Sequence, residues 1–468
     1  MLTLADLIEA EQGVRPERAD IGISEAVVDS RQAIAASLFV AILAGHDFVA
    51  SAFSNGAHLA LIQRDIDPSI PVLDLTKPFN SLTKIPEAPF AIRVDDTTQT
   101  LQRFSAFWRN KFDLRVIGIT GSVGKSTTKE LVAEVLSRRY RTLKNIGNYN
   151  NEVGLPLTML RLGTGYQCAI LEMGFYKPGE IQLLCDLAKP QVGILTNIGT
   201  VHAERAGSQA DIARGKSELV QALPAGPEGT AILNLDDSWV APMAKQTHAR
   251  VFFYGLDPNA DLWADEIISM GLNGIRFTLH YLGQVYPVQA PIIGQHSIHT
   301  VLRAVSAGLV EGMPMEEIIL AIQDASTQLR LVMVHTRQGA LVLDDTYNAS
   351  PESMLAALNL LNDLPGRKIA VLGGMYELGM YEQSGHEMIG RRAAEVTDTL
   401  FTFGEHARMI GEAALNAGLS ASAVQEFGEV DEVVKALQSI LKEGDVVLVK
   451  GSHGLHMDRI VQALEVKS

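Results

Sequence analysis

Residues 115–131 read RVIGITGSVGKSTTKEL, and no other stretch limits the fold so strongly. A continuous apolar run ends in a glycine-rich turn, and the turn leads straight into an amphipathic segment. Leu131, Val132, Val135 and Leu136 share one face of that segment. The pattern therefore predicts a buried strand and then a helix over residues 127–138. Between them, Gly124, Lys125 and Ser126 match the end of the phosphate-binding pattern G-x-x-x-x-G-K-[ST]. The start of the pattern does not match: Ile119 stands five residues before Gly124, and the nearer glycine is Gly121. In such a loop, backbone N–H groups turn toward a phosphate and the helix N-terminus adds partial positive charge. The candidate nucleotide contacts are Thr120, Gly121, Ser122, Val123, Gly124, Lys125, Ser126 and Thr127. Lys125 suits the outer phosphates, and the Ser126 hydroxyl suits Mg²⁺. The plainer reading is a strand-to-helix turn with a surface lysine. The intact order of strand, glycine-rich turn and helix favours the nucleotide.

Strands and helices alternate on both sides of this loop. CAILEMG and VGILTNIG read as further buried strands, and the segment HTVLRAVSAGLVEG reads as a helix that closes the central part. At 468 residues the chain has the length of about three domains. The expected fold class is α/β in three domains. Residues 1–95 form a small α/β domain, ended by the turn-rich NSLTKIPEAPFAIRVDD. Residues 96–327 form a P-loop domain with a mostly parallel sheet covered by helices. Residues 328–468 alternate again, from ALVLDD to VVLVKGS and a final helix, as a Rossmann-like, doubly wound domain.

Composition removes some partners. Acidic residues number 54 and basic residues 39, a balance of −15, which argues against a nucleic-acid grip and against adhesion to anionic membrane. Two cysteines, Cys168 and Cys185, make no disulfide framework and suit a reducing cytosol. MLTLADLIEAEQG has no basic region before an apolar core, so no signal peptide is expected. The apolar run IAASLFVAILAG is too short to span a bilayer.

Other residues must say what a nucleotide would do here. Glu172 ends the strand CAILEMG, at the carboxyl edge where α/β sheets bind ligands, and a carboxylate there can hold Mg²⁺. His202 follows VGILTNIG along the same edge. The plain alternatives are a solvated loop glutamate and a surface histidine. Lys216 falls inside the apolar helical stripe of Ile212, Ala213, Leu219 and Val220. By pattern alone it reads as a lysine snorkelling from the core edge; the sharper reading is a lysine held in the site for its chemistry.

Taken together, these pieces resemble the Mur ligase family, the ATP-dependent amide-forming enzymes of peptidoglycan precursor synthesis. ITGSVGKSTT is similar to that family's tight loop, and GNYNNEVGLPLT, LEMG, TNIGTVHAERAGS and IARGKSEL follow in family order. DDTYNASPESM, VLGGMYELG with His386 after it, and VLVKGS resemble the branch that adds D-alanyl-D-alanine to UDP-N-acetylmuramoyl-tripeptide. VVDSRQ and AGHDFVASAFSNGAHLALI resemble its sugar-nucleotide-binding domain. The likeness covers nearly the whole chain. It implies ATP and Mg²⁺ as cofactors, those two compounds as substrates, an acyl-phosphate intermediate and a cytoplasmic monomer.

It also implies roles, residue by residue. Lys125 would contact the outer phosphates. Ser126 and Glu172 would hold one Mg²⁺, and His202 would reach a second. Lys216 would be carbamylated and so become a metal ligand. Asn151 and His299 would lie near adenine, Arg330 near the phosphates and Asp345 at the ribose. Ser30, Arg31 and His46 would bind the uridine diphosphate portion. Tyr347, Asn348 and Ser350 would meet the incoming dipeptide. The sequence departs from the family pattern where asparagines give way to Ser297 and His299, where Leu329 replaces a glycine and where Gly374 replaces an aspartate. IAASLF also lacks the usual Gly-Asp. The competing readings are another amide ligase of the same superfamily, a nucleotide-binding regulator, and a paralogue that binds without catalysing.

Overall fold

A computed structural model describes residues 2–80, 82–325 and 332–466. The fold is α/β, and the chain divides into two compact units.

The first unit takes in residues 1–118, 139–174 and 179–192. Five parallel strands lie in the order Ala26–Val27, Leu38–Val40, Leu59–Ile62, Phe90–Arg93 and Val72–Asp74. Leu59, Ala60, Leu61 and Ile62 are all fully buried, as a parallel strand covered on both faces requires. The helix Leu4–Gln12 opens with a reciprocal cap between Thr3 and Asp6. Asp6 also receives Arg15 at 2.8 Å and Lys111 at 2.6 Å. The helix Thr97–Arg109 starts at Asp96, whose carboxylate accepts from the Gln99 amide. The same unit pairs residues 115–118 with the strand Cys168–Glu172, and that strand with Thr142–Lys144 in parallel. The expected boundary at 95/96 falls between Phe90–Arg93 and Thr97–Arg109.

The second unit takes in residues 119–138, 175–178 and 193–468. The end of the strand Arg115–Thr120 neighbours Val192–Leu195, and beyond it stand Thr230–Asn234, Arg250–Gly255 and Leu262–Ser269. The sheet then turns antiparallel through Ile275–Tyr281 and Gln284–Ala290. Those last strands alternate instead of running apolar: Ile275, Phe277 and Leu279 point into the core while Arg276 faces water. A search for continuous apolar runs passes over them. The chain also continues beyond the helix expected to close this part. That helix is Ile298–Val310, and Met315–Gln323 follows it. The expected boundary at 327/328 lies outside the described residues.

The C-terminal sheet runs Val332–His335, Leu341–Asp345, Val446–Lys450, Lys368–Gly373, Thr399–Phe403 and Val424–Phe427, with only the first strand antiparallel. Alternate residues serve opposite faces. Leu343, Ala370, Leu372 and Leu448 pack with Met354, Leu358, Ile389 and Ile410. Val342, Ile369, Val371 and Val447 pack with Val433, Leu437, Ile460 and Leu464. This is the doubly wound arrangement expected from the alternation. Among the described residues no helix is long and apolar enough to cross a membrane.

Candidate active site

The glycine-rich loop is tight because it is laced onto residues 196–199. The Ser122 amide donates to the Asn197 carbonyl and the Val123 amide to Asn197 Oδ1, both at 2.9 Å. The Gly199 amide donates to Ser122 Oγ at 2.8 Å. Gly121 has φ +142°, and a Cβ there would collide with Thr196 Oγ1. Gly124 caps the helix Lys125–Ser137 at φ +83°. Close approach and positive φ thus fix both glycines, and Ile119, fully buried in the strand, need not be one. The lacing corrects one expectation. The Ser122 and Val123 amides, expected to be open to a phosphate, are taken by Asn197; from Gly124 onward a helix's first turn leaves N–H groups without intrahelical acceptors. Thr120 is fully buried under the loop, and Ser126 is 9% exposed on the first turn beside Thr127.

Two lysines converge on this loop. Lys125 Nζ donates to the Gly121 and Ser122 carbonyls at 2.9 and 3.2 Å. Lys216 Nζ donates to the same Gly121 carbonyl at 2.9 Å and lies 4.7 Å from the Phe175 ring centroid. Lys216 has no exposed surface, which overturns the snorkelling reading. Burial first, and then the charge of Lys125, push its amine well below the ordinary lysine range. The helix that carries it, Gln209–Gln221, is set by a reciprocal cap between Ser208 and Asp211.

His202 is neither a surface histidine nor held by its own domain alone. Its Nδ1 faces Glu377 Oε2 at 2.7 Å, and Arg205 Nη2 meets Glu377 Oε1 at 3.2 Å. Tyr176 lies edge-on to the ring at 5.0 Å. Burial and the charges of Lys216, Lys125 and Arg205 push the imidazole down to about 3. The Glu377 carboxylate pulls the other way, but burial and three cations favour the neutral ring. With the proton on Nδ1, the Nε2 lone pair can serve a metal.

Glu172 belongs to the first unit. It is 3% exposed, so it is no solvated loop residue. Asn145 clamps its backbone on both sides, at 3.0 Å each, and Asn150 Nδ2 donates to Oε1 at 2.9 Å.

Several carried-over residues already have local work. His46 is buried, with Nδ1 on the Leu43 carbonyl and Nε2 accepting the Gln63 amide, both at 3.0 Å; its ring nitrogens are not open to a uridine diphosphate. Ser30 is buried at the start of a short turn, and the exposed Arg31 pairs with Asp29 at 2.7 Å. Asn151 Oδ1 accepts the Gly154 amide at 2.8 Å. His299 Nε2 meets Asp236 Oδ2 at 2.8 Å. Ser350 is a buried helix cap, its hydroxyl accepting from the Ser353 amide. Asn348 Oδ1 accepts the Ala349 amide, while Tyr347 stays 43% exposed near His453. Asp345 is paired at 2.7 Å with Lys450, itself 2% exposed, which also donates to the Asn348 carbonyl. His386 is a buried strut between the Met375 amide and the Glu382 carbonyl. A side chain at Gly374 would press on His406. Arg330 and Leu329 lie outside the described residues.

The sequence reading missed Asn197, Glu352, Glu377 and Lys450. Only Lys450 leaves a sequence signal, a charge ending the apolar run VVLV. The other three act through contacts distant in the chain.

Comparison with known proteins places the chain in a family. Residues 119–308 match the Mur ligase middle domain, and residues 329–453 match the domain described as Mur ligase, glutamate ligase domain. The chain is similar to the UDP-N-acetylmuramoyl-tripeptide–D-alanyl-D-alanine ligase of Synechocystis sp., 33% identical over 95% of this chain and 92% of that one. The enzyme of the same name from Bacillus subtilis is 31% identical over 99% and 98%. Among solved structures, MurF from Acinetobacter baumannii matches with a TM-score of 0.83 at 29% identity, covering 98% of both chains. MurF ligase from Thermotoga maritima in complex with ADP matches at 0.77 and 26%, covering 94% of this chain and 96% of that one.

Proposed function

Because this chain belongs to the Mur ligase family, we propose that it joins D-alanyl-D-alanine to UDP-N-acetylmuramoyl-tripeptide at the expense of ATP. The observation that carries the reading is the convergence of Lys125 and the fully buried Lys216 on the Gly121 carbonyl of the loop. A nucleotide-binding switch has no use for a second, desolvated lysine. A ligase that must gather phosphates and a carboxylate does.

In the first step the tripeptide's terminal carboxylate attacks the γ-phosphorus, and ADP leaves. In the second, the dipeptide amine attacks the acyl carbon, phosphate leaves, and the nitrogen loses a proton. Both steps concentrate negative charge, so fixed positive groups lower both barriers. Lys125 is mobile enough to leave the Gly121 and Ser122 carbonyls for phosphate oxygens. The acyl phosphate must also be kept from water.

Mg²⁺ would neutralise phosphate oxygens and polarise the phosphoryl group. Ser126 and Glu172 offer hard oxygen donors, and His202 offers Nε2. Such ions take few protein ligands and complete their shell with phosphate and water. Lys216 fits carbamylation: a neutral amine adds CO₂, releases a proton and becomes an anionic oxygen donor. Its depressed basicity keeps the amine nucleophilic at neutral pH.

We assign residues 1–95 to the sugar-nucleotide, 96–327 to ATP and 328–468 to the dipeptide, in a cytoplasmic monomer. The test is phosphate release from Mg-ATP with the tripeptide substrate, with and without D-alanyl-D-alanine, and product mass. Release that needs both substrates and yields the pentapeptide supports the ligase. Release independent of both returns the reading to a nucleotide-binding regulator.

A further inference from the structure

Arg303 sits on the helix Ile298–Val310 and is 4% exposed. Its guanidinium covers one glycine of the loop: Nη2 lies 3.1 Å from where a Cβ on Gly124 would stand. Nη2 donates to Thr300 Oγ1 at 2.8 Å, and Nη1 reaches the Tyr254 hydroxyl only at 3.4 Å. Nε has no partner, and among the described residues no carboxylate pairs with this arginine. Asp236 and Asp237, after the neighbouring strand Thr230–Asn234, are engaged elsewhere. Asp236 holds His299 and the Leu256 and Asp257 amides. Asp237 holds the Ile198, Trp239 and Val240 amides.

A guanidinium is always charged, and burying one without an anion is unfavourable. This one is buried beside a helix N-terminus that already carries partial positive charge, at the glycine that precedes Lys125. The other loop glycine repeats the pattern, since Thr196 Oγ1 abuts Gly121 and also lacks a partner. An arginine with an unpartnered Nε whose Nη2 lies at Gly124, and an unpartnered hydroxyl at Gly121, point to a polar ligand from outside the chain. On the same helix, Ser297 is turned back to the Ile293 carbonyl and His299 is held by Asp236. Arg303 reaches the loop from this helix, at Gly124.

We propose that Arg303 is a nucleotide-binding residue whose guanidinium donates to a phosphate oxygen of the ATP or ADP held at Gly124. This rests on the nucleotide reading of the loop. Arg303 has no counterpart in the sequence motif, because it is contributed by a helix far along the chain.

The experiment compares the parent with Arg303→Met, Arg303→Lys and, as a control, Lys125→Ala. Affinities for ATP, ADP and adenosine are measured by calorimetry, and thermal melting is followed without nucleotide. Arg303→Met should fold and melt at or above the parent temperature, because it removes an unpaired buried charge. It should lose about tenfold or more in ATP and ADP affinity while adenosine affinity stays put. Arg303→Lys, keeping the charge without the fork, should fall between. ATP affinity within about twofold of the parent would overturn the proposal. So would a methionine variant that melts lower or does not fold, since Arg303 would then be an internal strut. An equal loss for adenosine would make it a base contact and overturn it too. If the parent binds no ATP while folded, the loop reading itself fails and this inference falls with it.

Discussion

Burial pushes a lysine's amine below its ordinary range when no carboxylate offsets it. Lys216 has no exposed surface, lies between the Gly121 carbonyl and the Phe175 ring, and among the described residues pairs with no carboxylate. Lys216→Ala should abolish ligation, and Lys216→Arg, permanently charged, should not restore it. Added formate or acetate should recover part of the alanine variant's rate if the working form is a carbamate. Full activity in either variant would remove Lys216 from the chemistry. Asp6 shows the opposite case, a buried group kept charged. Burial alone would raise its pKa, but hydrogen bonds from Arg15, Lys111 and Thr3 outweigh that and hold it at about 2. Its folded value lies below its ordinary one of 3.8, so the stability it brings is present above that value and is lost as pH falls toward 2. Asp6→Asn should cost about 1 kcal/mol at neutral pH, allowing for solvent screening on the Arg15 side. Urea melts at neutral pH and near the folded pKa should show that penalty vanish in acid. A constant penalty would mean that shape, not charge, is at issue.

At the scale of elements, the segment after Val192–Leu195 is the joint between loop and C-terminal domain. Asn197 and Gly199 lace the loop, while Thr200, His202, Glu204 and Arg205 meet the C-terminal domain. Glu352, on the first turn of Pro351–Asp363, accepts from the Thr200 amide at 3.4 Å. Glu377 takes His202 and Arg205 through its carboxylate and the Glu204 amide through its backbone carbonyl. Glu377 therefore orients His202 from another domain, as a carboxylate orients a metal-binding histidine through its second nitrogen. Glu377→Ala should lower ligation kcat by about 10- to 100-fold, with ATP affinity nearly unchanged. Glu377→Gln should keep much of the rate, since an amide oxygen can still accept from Nδ1. Parallel steady-state kinetics and ATP titrations separate the two effects; an unchanged kcat in the alanine variant would deny Glu377 this role.

For the whole molecule, a net charge of −15 has to coexist with anionic substrates. The positive field is local instead: Lys125 and Arg303 stand at one helix N-terminus. Filling that site should stabilise the folded chain by linkage, about 2.7 kcal/mol with ATP at a hundredfold over Kd. Thermal scans with Mg-ATP should show the rise in the parent, and Lys125→Ala should lose most of it. An undiminished shift in Lys125→Ala would put the nucleotide elsewhere.

The sequence by itself determined the features that depend on neighbours in the chain. The buried strands, the glycine turn, the helix after it and the alternation of the C-terminal domain are local patterns, legible because apolar runs and glycines act over a few residues. Lys125 and Ser126 were legible for the same reason, whereas Lys216 read by pattern as a snorkelling lysine and drew its site role from the family resemblance. The tertiary structure decided what depends on partners remote in sequence. It turned the Ser122 and Val123 amides to Asn197, and it gave His46, Asn151 and Ser350 to backbone groups. It also stripped Lys216 of water, set Glu377 against His202, and brought Arg303 to Gly124. A pattern can say that a lysine lies on an apolar stripe. Whether that lysine reaches water is fixed only when other elements close over it, because desolvation and hydrogen-bond partners belong to the packed chain.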